Sequence, residues 1–306
     1  MSVKYMNNRK SGHVLVLINQ KAGIYTAFGL IHRALERYWG KNGADLSYQF
    51  CQSQSDCKYK AERAAKQDFD TVLVVGGDGT VNTVGQALIG TGISMGVIPS
   101  GSGNGFARHF GIPLRLDKAI RVLSTADVKY IDVGLVNDIP FFVTCSMAWD
   151  ASFVRSFQKT RIRGVIPYVF AGVQGLFGYH SQKITVKLDS GEKLNFSDVL
   201  LFTIANLTQY GAGAKIAPHA LADDGYLELV VAMQQDIPKL IANIGRLFNG
   251  SINKIPEIIF KRFQTLTVNR PQAGSIQIDG ELASAPADVK VRVLPKALKV
   301  LIPKEK

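Results

Sequence analysis

Two glycine-rich loops carry the residues of this 306-residue chain whose types and spacing could bind phosphate. The first loop, Gly76–Thr80 (GGDGT), follows an apolar β-branched run, Val72–Val75, which predicts a buried strand. Its glycines let backbone N–H groups approach an anion, and the helix pattern that follows supplies a helix N-terminus, where the dipole favours phosphate. The second loop, Pro99–Asn104 (PSGSGN), follows another apolar run, Ile93–Ile98. Two strand–loop–helix units in tandem predict two phosphate-binding edges at one end of a parallel sheet.

Asp78 distinguishes the first loop from an ordinary glycine turn. Glycine turns that only join strands to helices would explain either loop alone, but they do not explain a carboxylate among phosphate-facing amides. Such a carboxylate repels phosphate unless a metal ion lies between them, so Asp78 predicts Mg²⁺ together with a nucleotide.

Together, the two loops resemble the catalytic-domain signature of the diacylglycerol kinase family of lipid kinases, which also includes sphingosine and ceramide kinases. The Gly-Gly-Asp-Gly run alone is shared with NAD kinases and 6-phosphofructokinases. Ser102 in the second loop is similar to the sphingosine-kinase branch, and Thr80 is similar to bacterial members. The resemblance implies an ATP- and Mg²⁺-dependent kinase.

The resemblance also implies a set of nucleotide-binding positions. An early turn, after the strand predicted at Val14–Ile18, is similar to the family's Asn-Pro-x-Ser-Gly element, from which Gln20 and Ala22 depart; an ordinary strand–helix turn is the alternative. Ser53 is the nearest match to a family threonine close to the adenine or ribose. The implied nucleotide-binding residues are Asn19, Gln20, Lys21, Ala22, Gly23, Ser53, Gly76, Gly77, Asp78, Gly79, Thr80, Val81, Asn82 and Ser102.

The resemblance also implies a place at Mg²⁺ for two further aspartates. The resemblance suggests that Asp132, in the strand predicted at 129–134, joins Asp78 around a water-bridged Mg²⁺; a turn or capping acid is the alternative. The segment PHALADDGYLEL resembles a family motif in which Asp224 and the carbonyls of Leu221 and Tyr226 hold Mg²⁺. By itself, Asp-Asp-Gly is more typical of a turn between strands.

The segment Ile276–Glu281 (IQIDGE) is an alternating strand that ends in an Asp-Gly pair, which predicts a hairpin. It resembles the family's Asp-Gly-Glu, which implies that Glu281 is the general base and that Asp279 beside it is an orienting or metal-linked acid. A solvated hairpin tip is the alternative.

The pattern of elements predicts two domains. Residues 1–134 form an α/β, Rossmann-like nucleotide-binding domain; residues 135–294 form an all-β, sandwich-like domain for lipid and metal; the last strand, within 295–306, is a candidate to return to the first domain. Helices are predicted at Ile24–Trp39, Asp56–Lys66 (capped by Asp56), Phe106–Phe110 and Leu116–Ser124. Other strands are predicted at Ser47–Gln52, Pro140–Thr144, Lys183–Leu188, Val199–Ala205, Tyr226–Val231, Leu266–Asn269, Ser275–Asp279, Val289–Leu294 and Lys299–Ile302.

Charge and cysteine content limit the partners and the compartment. The net charge of +12 favours an anionic partner, and the lack of a nucleic-acid-binding motif favours a membrane surface. Cys51, Cys57 and Cys145 are odd in number and have no C-x-x-C spacing, which predicts neither a disulfide nor a zinc site and fits a reducing cytoplasm. The longest apolar segment, Gly164–Tyr179, is shorter than the ~20 residues that cross a bilayer, so no transmembrane helix is predicted.

Two segments that follow the strand predicted at Pro140–Thr144 could reach lipid. A basic run precedes the apolar stretch Val165–Phe177, which suits either an anionic bilayer or a solvated helix followed by a buried one; its residues are Arg155, Lys159, Arg161 and Arg163. Met147 and Trp149 could line a lipid cleft or belong to the core.

The sequence therefore predicts an ATP- and Mg²⁺-dependent kinase, cytoplasmic and peripheral to the inner face of the membrane, that phosphorylates a lipid hydroxyl, with diacylglycerol as first candidate. The expected partners are ATP and the lipid acceptor, with a homodimer as a further option and no nucleic acid. Three alternatives stay open: a sphingosine- or ceramide-type kinase, an NAD-kinase-like soluble enzyme, and an inactive regulator that binds nucleotide or membrane.

Overall fold

The computed structural model describes residues 12–19, 28–149, 181–211 and 213–304. The N-terminal part alternates strands and helices. Its strands are β1 (His13–Asn19), β2 (Asp45–Cys51), β3 (Thr71–Gly76) and β4 (Ser94–Pro99), and its helices are α1 (Phe28–Tyr38), α2 (Gln54–Ala64), α3 (Asp78–Leu88), α4 (Gly105–His109) and α5 (Leu116–Leu123).

The four strands form the parallel sheet that the tandem strand–loop–helix units predict, in the order β2-β1-β3-β4. Their Val-, Leu- and Ile-rich runs are buried because helices pack against the sheet. Strands β3 and β4 are in register from Thr71↔Ser94 to Gly76↔Pro99. Since both strands end at the same level, the two glycine loops leave the sheet side by side.

The C-terminal part is rich in β-strands, as the sandwich prediction expects. Its described strands are β5 (Asp127–Val136), β6 (Ile139–Phe141), β7 (Thr144–Ser146), β8 (Gln182–Leu188), β9 (Lys193–Ala205), β10 (Gln209–Gly211), β11 (Ala214–Lys215), β12 (Leu227–Met233), β13 (Ile259–Phe263), β14 (Thr265–Asn269), β15 (Gly274–Ile278), β16 (Glu281–Ala285) and β17 (Asp288–Ile302). Short helices α6 (Ile237–Ala242) and α7 (Gly245–Asn249) lie between β12 and β13.

Strand β17 connects the two parts. It pairs antiparallel with β14 and β5, and it pairs in parallel with β4 through Val300↔Met95. The sequence predicts separate strands at 289–294 and 299–302, but the structure has one 15-residue strand with a register shift between Leu294 and Leu298. The C-terminal half of β17 therefore packs in the core of the N-terminal sheet, and its N-terminal half packs in the core of the β-rich part.

Two local predictions around α2 are wrong. Cys51 and Cys57 are joined by a disulfide, whereas the sequence predicted none, because the end of β2 and the first turn of α2 bring their buried side chains together. Ser53, not Asp56, is the N-cap of α2: its Oγ accepts from Asp56 N at 3.1 Å, while Asp56 Oδ2 accepts from Gln52 N at 2.9 Å. Asp56 therefore binds the amide of the residue before the N-cap, while Ser53 caps the helix itself.

The strand predicted at 140–144 is interrupted. Phe142 and Val143 separate β6 from β7, and their amides donate to the carboxylate of Asp279 instead of to a neighbouring strand. Among the described residues, no helix is both long enough and apolar enough to span a membrane.

Candidate active site

The two glycine loops contact each other through their backbones. Ser100 N donates to Gly76 O at 2.9 Å, and a Cβ built on Gly101 would lie 2.6 Å from the Cα of Gly77. A Cβ on Gly76 would lie 2.6 Å from the Cβ of Thr80. Glycine is therefore required here by close approach, and the two loops form one surface rich in backbone amides.

Asn104 closes the second loop. It adopts φ of +51°, its Oδ1 accepts from Gly101 N at 2.9 Å, and its Nδ2 donates to Gly101 O at 2.8 Å. Asparagine suits this position because it tolerates the left-handed region and bonds its own loop. Ser102 lies at the exposed tip of the same loop.

The carboxylate of Asp78 points from the first loop towards the second. Phe106 N lies 3.4 Å from Oδ1, and a Cβ on Gly103 would lie 2.8 Å from Oδ2. Burial raises the pKa of Asp78, while the amides of Gly105, Phe106 and Asn104 and the positive charge of Arg108 act in the opposite direction. The carboxylate of Asp78 thus lies at the junction of the two loops.

The C-terminal end of β1 reaches the same junction. Asn19 Nδ2 donates to Thr80 Oγ1 at 2.7 Å, which ties β1 to the first turn of α3. Val81 is buried beneath that turn, and Ser53 lies exposed at the start of α2. The remaining residues of the predicted early turn, Gln20, Lys21, Ala22 and Gly23, lie outside the described residues.

The hairpin of β15 and β16 brings two acids from the β-rich part to this junction. Asp279 and Gly280 have φ of +46° and +87°, the two-residue turn that an Asp-Gly pair predicts. Asp279 is buried, and its carboxylate accepts from the amides of Phe142, Val143 and Thr144 at 2.8, 2.8 and 3.0 Å.

Asn82 of α3 supplies a fourth donor to Asp279, with Nδ2 at 2.8 Å from Oδ2. Burial raises the pKa of Asp279, and these four hydrogen bonds oppose that rise. The bond from Asn82 fixes the hairpin to the helix that begins with the first glycine loop.

Glu281, directly after this turn, lies over the first turn of α3. A Cβ on Gly79 would be 2.9 Å from Glu281 Oε1 and 3.4 Å from Gln54 Nε2. Gln54 donates to the same oxygen of Glu281 from the start of α2. Glu281 is exposed, so its carboxylate faces solvent beside the glycine loop.

Asp132 is fully buried, and both oxygens of its carboxylate accept hydrogen bonds from backbone amides. Its Oδ1 accepts from Lys296 N at 2.8 Å and its Oδ2 accepts from Gly225 N at 2.6 Å. Asn206 donates to the carbonyl of Asp132 at 3.0 Å. Asp132 thus joins β5 to a bulge in β17 and to the turn that carries Asp224.

Both carboxylate oxygens of Asp224 are also occupied. Tyr226 N donates to Oδ1 at 3.0 Å, and the guanidinium of Arg262 forms an ion pair with Oδ2. Leu221 and Tyr226, whose carbonyls were the other expected ligands, have exposed side chains. Within the described part of the chain, no three His, Cys, Asp or Glu side chains group closely enough to hold a metal ion. Asp78, Asp132 and Asp224 therefore do not form a three-carboxylate cluster there.

Sequence reasoning missed Gln54, Arg262 and the amides of residues 142–144. Gln54 and Glu281 are 227 residues apart, and no local pattern signals their contact. Met147 is buried in the core of the β-rich part, among the residues packed between its strands. The basic run Arg155, Lys159, Arg161 and Arg163 and the apolar stretch Val165–Phe177 lie outside the described residues.

Comparison with known proteins agrees with this two-part arrangement. Residues 13–136 match the family model for the diacylglycerol kinase catalytic domain. Residues 144–302, just over half of the chain, match the model for the YegS C-terminal NAD kinase beta sandwich-like domain. The chain belongs to the diacylglycerol kinase and YegS family of lipid kinases. A member of this family is a phosphotransferase with an alcohol group as acceptor, and its kinase activity implies the use of ATP.

Individual lipid kinases resemble the chain along most of its length. A protein named diacylglycerol kinase from Mycobacterium tuberculosis is 29% identical over 312 residues, covering 99% of each chain. A protein named "Probable lipid kinase YegS-like" from Yersinia enterocolitica is 28% identical over 271 residues, covering 85% of this chain and 88% of the relative. A crystal structure of a diacylglycerol kinase from Bacillus anthracis shares the fold, with a TM-score of 0.76 at 20% identity over 95% of this chain and 97% of the other.

Proposed function

We propose that this lipid kinase transfers the γ-phosphoryl group of ATP, with Mg²⁺, to the hydroxyl of a membrane lipid, and that diacylglycerol is the acceptor. The observation that carries the proposal is the position of Glu281. A carboxylate from the β-rich part lies against Gly79 of the first glycine loop, where an acceptor hydroxyl and the terminal phosphate of a nucleotide would meet.

In this mechanism the chain holds the nucleotide phosphates on the amides of the two glycine loops. The other nucleotide contacts are Asn19–Gly23, Ser53, Thr80–Asn82 and Ser102. Phosphoryl transfer depends on positioning and charge neutralisation more than on covalent chemistry. Mg²⁺ bound with the nucleotide would offset the phosphate charge next to Asp78, whose carboxylate at the loop junction suits a hard cation.

Glu281 then accepts the proton of the lipid hydroxyl as that oxygen attacks the γ-phosphorus, while the bond from this phosphorus to the β,γ-bridging oxygen breaks and ADP leaves. Gln54 holds the carboxylate over Gly79. Asp279 orients the hairpin through its bonds to Asn82 and to residues 142–144, so it acts on the chemistry through Glu281.

The acceptor stays in the bilayer, so the enzyme has to work at the membrane surface. The net charge of +12 favours adsorption to anionic lipid. We therefore propose a cytoplasmic enzyme that binds the inner face of the membrane peripherally.

A sphingosine- or ceramide-type acceptor is the second candidate, because Ser102 stands in the second loop. A panel of acceptors in mixed vesicles with radiolabelled ATP separates the candidates: diacylglycerol, monoacylglycerol, sphingosine, ceramide and soluble NAD. We expect diacylglycerol to be phosphorylated fastest. Preferred labelling of sphingosine or ceramide would show that the enzyme is a sphingosine- or ceramide-type kinase. Labelling of NAD alone would contradict a lipid acceptor.

Glu281→Gln tests the general base. The substitution keeps size and shape but removes the proton acceptor, so we expect kcat to fall by a factor on the order of 10²–10⁴, or about 3–5 kcal/mol of barrier. ATP affinity and melting temperature should change little, because the side chain is exposed and faces the acceptor.

Glu62→Gln is the matched control, since Glu62 is exposed on the outer side of α2. It should leave turnover unchanged. Near-normal turnover in folded Glu281→Gln would remove Glu281 from the role of base.

A further inference from the structure

The turn 221–226 has a positively charged side chain at the position where the family resemblance implies a metal ion. The implied ligands are the Asp224 carboxylate and the carbonyls of Leu221 and Tyr226. In this chain, Asp224 Oδ2 is paired with the Arg262 guanidinium and Oδ1 accepts from Tyr226 N at 3.0 Å. Each oxygen therefore already has a protein partner, and the one on Oδ2 is positively charged.

The sheet itself places Arg262 there. Strands β12 and β13 pair antiparallel, with Glu228 directly opposite Arg262. Arg262 Nε lies 3.3 Å from Glu228 Oε1, and its guanidinium carbon lies 4.6 Å from the centroid of the Tyr226 ring. The guanidinium is therefore held by two carboxylates and by an aromatic face, an arrangement that suits the planar, permanently charged arginine better than lysine.

A divalent cation and this guanidinium exclude each other. A Ca²⁺ or Mg²⁺ bound to Asp224 would lie ~2.0–2.6 Å from the carboxylate oxygen that Arg262 contacts. Two cations on one oxygen repel strongly when they are only a few ångströms apart.

Protein hydrogen bonds also hold the backbone of Gly225 in this turn. Asp132 Oδ2 accepts from Gly225 N at 2.6 Å, and Gln264 Nε2 lies 3.4 Å from Gly225 O. Both residues of the Asp224-Gly225 pair are thus held by protein groups, and the Asp224 carboxylate is paired with the positive charge of Arg262.

We infer that in this chain the Arg262 guanidinium takes the place of the divalent cation at the turn 221–226. The wild-type turn then binds no divalent ion, and removal of Arg262 converts it into a cation site. The inference concerns the nucleotide-free protein, so it stands or falls independently of the proposed kinase reaction.

The test measures melting temperature and calorimetric metal binding of the full chain without nucleotide, in chelator and in Ca²⁺ or Mg²⁺. We expect no metal response at this turn in the wild type. Arg262→Gln should melt at lower temperature in chelator and recover by several degrees at a metal concentration of ~100 Kd. The recovery should vanish in the double variant Arg262→Gln/Asp224→Asn.

Two further variants make the result specific. Arg262→Lys keeps a positive charge and should remain unresponsive to metal. Arg292→Gln removes an exposed arginine that pairs with Asp138 away from the turn, and it should create no metal response. Metal binding by the wild type that disappears in Asp224→Asn would overturn the inference. An Arg262→Gln variant that folds but ignores both metals would also overturn it.

Discussion

Substitution of Gly101 by alanine tests whether the two glycine loops form one phosphate-binding surface. The new Cβ would lie 2.6 Å from the Cα of Gly77 and 3.0 Å from Asn104 Oδ1, against an ordinary contact of 3.4–4 Å. The nearest contact of the new Cβ is with a backbone atom, Gly77 Cα, so no side-chain rotation relieves it. The loops have to separate by about 1 Å, a displacement that can cost ~10² in rate when it misplaces reacting groups.

Two effects should follow from that separation. Overpacking should lower the free energy of unfolding by about 1–3 kcal/mol. Loss of one charge-assisted amide–phosphate bond, worth about 1.5–3 kcal/mol, should weaken ATP binding by a factor of roughly 10–100. ATP binding by calorimetry, with chemical denaturation on the same preparation, measures both effects.

Gly29→Ala is the control for this experiment. Gly29 lies in α1, and nothing lies within 4 Å of its added Cβ. The change should leave ATP binding unchanged and stabilise the helix slightly, since alanine favours helix over glycine by roughly 0.5–1 kcal/mol. Unchanged ATP affinity in folded Gly101→Ala would refute the reasoning that the contact of the two loops shapes the nucleotide site.

Two other substitutions test neighbouring parts of the site. Gly79→Ala places a Cβ 2.9 Å from Glu281 Oε1, which is the end of a flexible side chain. We expect kcat to fall by roughly tenfold or more, while the free energy of unfolding stays the same or increases. An unchanged kcat would show that the reaction does not need Glu281 at this position. His109 is partly buried, its Nδ1 accepts from Thr208 N at 3.1 Å, and burial lowers its pKa from 6.5 to about 4. The unfolded chain therefore binds a proton more readily between pH 6.5 and about 4, so the free energy of unfolding should fall as pH drops through that window, by on the order of 1 kcal/mol between pH 7.5 and 5.5. His109→Gln should flatten this part of the profile in urea denaturation at the two pH values, and a profile that keeps its full slope would exclude His109 as its source.

Local patterns were sufficient to predict the parts of the site that are built from consecutive residues. The apolar runs before Gly76 and Pro99 predict parallel strands, and the parallel sheet then brings their loops together. The Asp279-Gly280 pair predicts its hairpin. In each case a few neighbouring residues determine the backbone, so the sequence is sufficient.

Contacts between distant residues could not be predicted in this way. Nothing near Asp132 indicates that its carboxylate binds the amides of Gly225 and Lys296. The Cys51–Cys57 disulfide depends on how β2 meets α2, which cysteine spacing alone does not encode. Arg262 reaches Asp224 only because β13 pairs with β12 in one register, and register is a property of the whole sheet.

Hydrogen-bond partners separate acids that look alike in the sequence. The carboxylate of Asp279 has four donors, and that of Asp132 has two backbone amides in a fully buried setting. Buried carboxylates with such partners hold elements together, because loss of a partner would leave a charge unpaired.

Glu281 is different: it is exposed, lies beside the glycine loop and has a neutral side chain, Gln54, as donor. A carboxylate in that position can exchange its partner for a substrate hydroxyl, because solvent keeps the charge from being buried without a partner. The four-donor site of Asp279, one residue before the glycine of the same turn, keeps that exposed carboxylate in place. Two acids of one hairpin thus differ in their setting: Asp279 anchors the turn to α3, and Glu281 is the carboxylate that the proposed reaction presents to the acceptor.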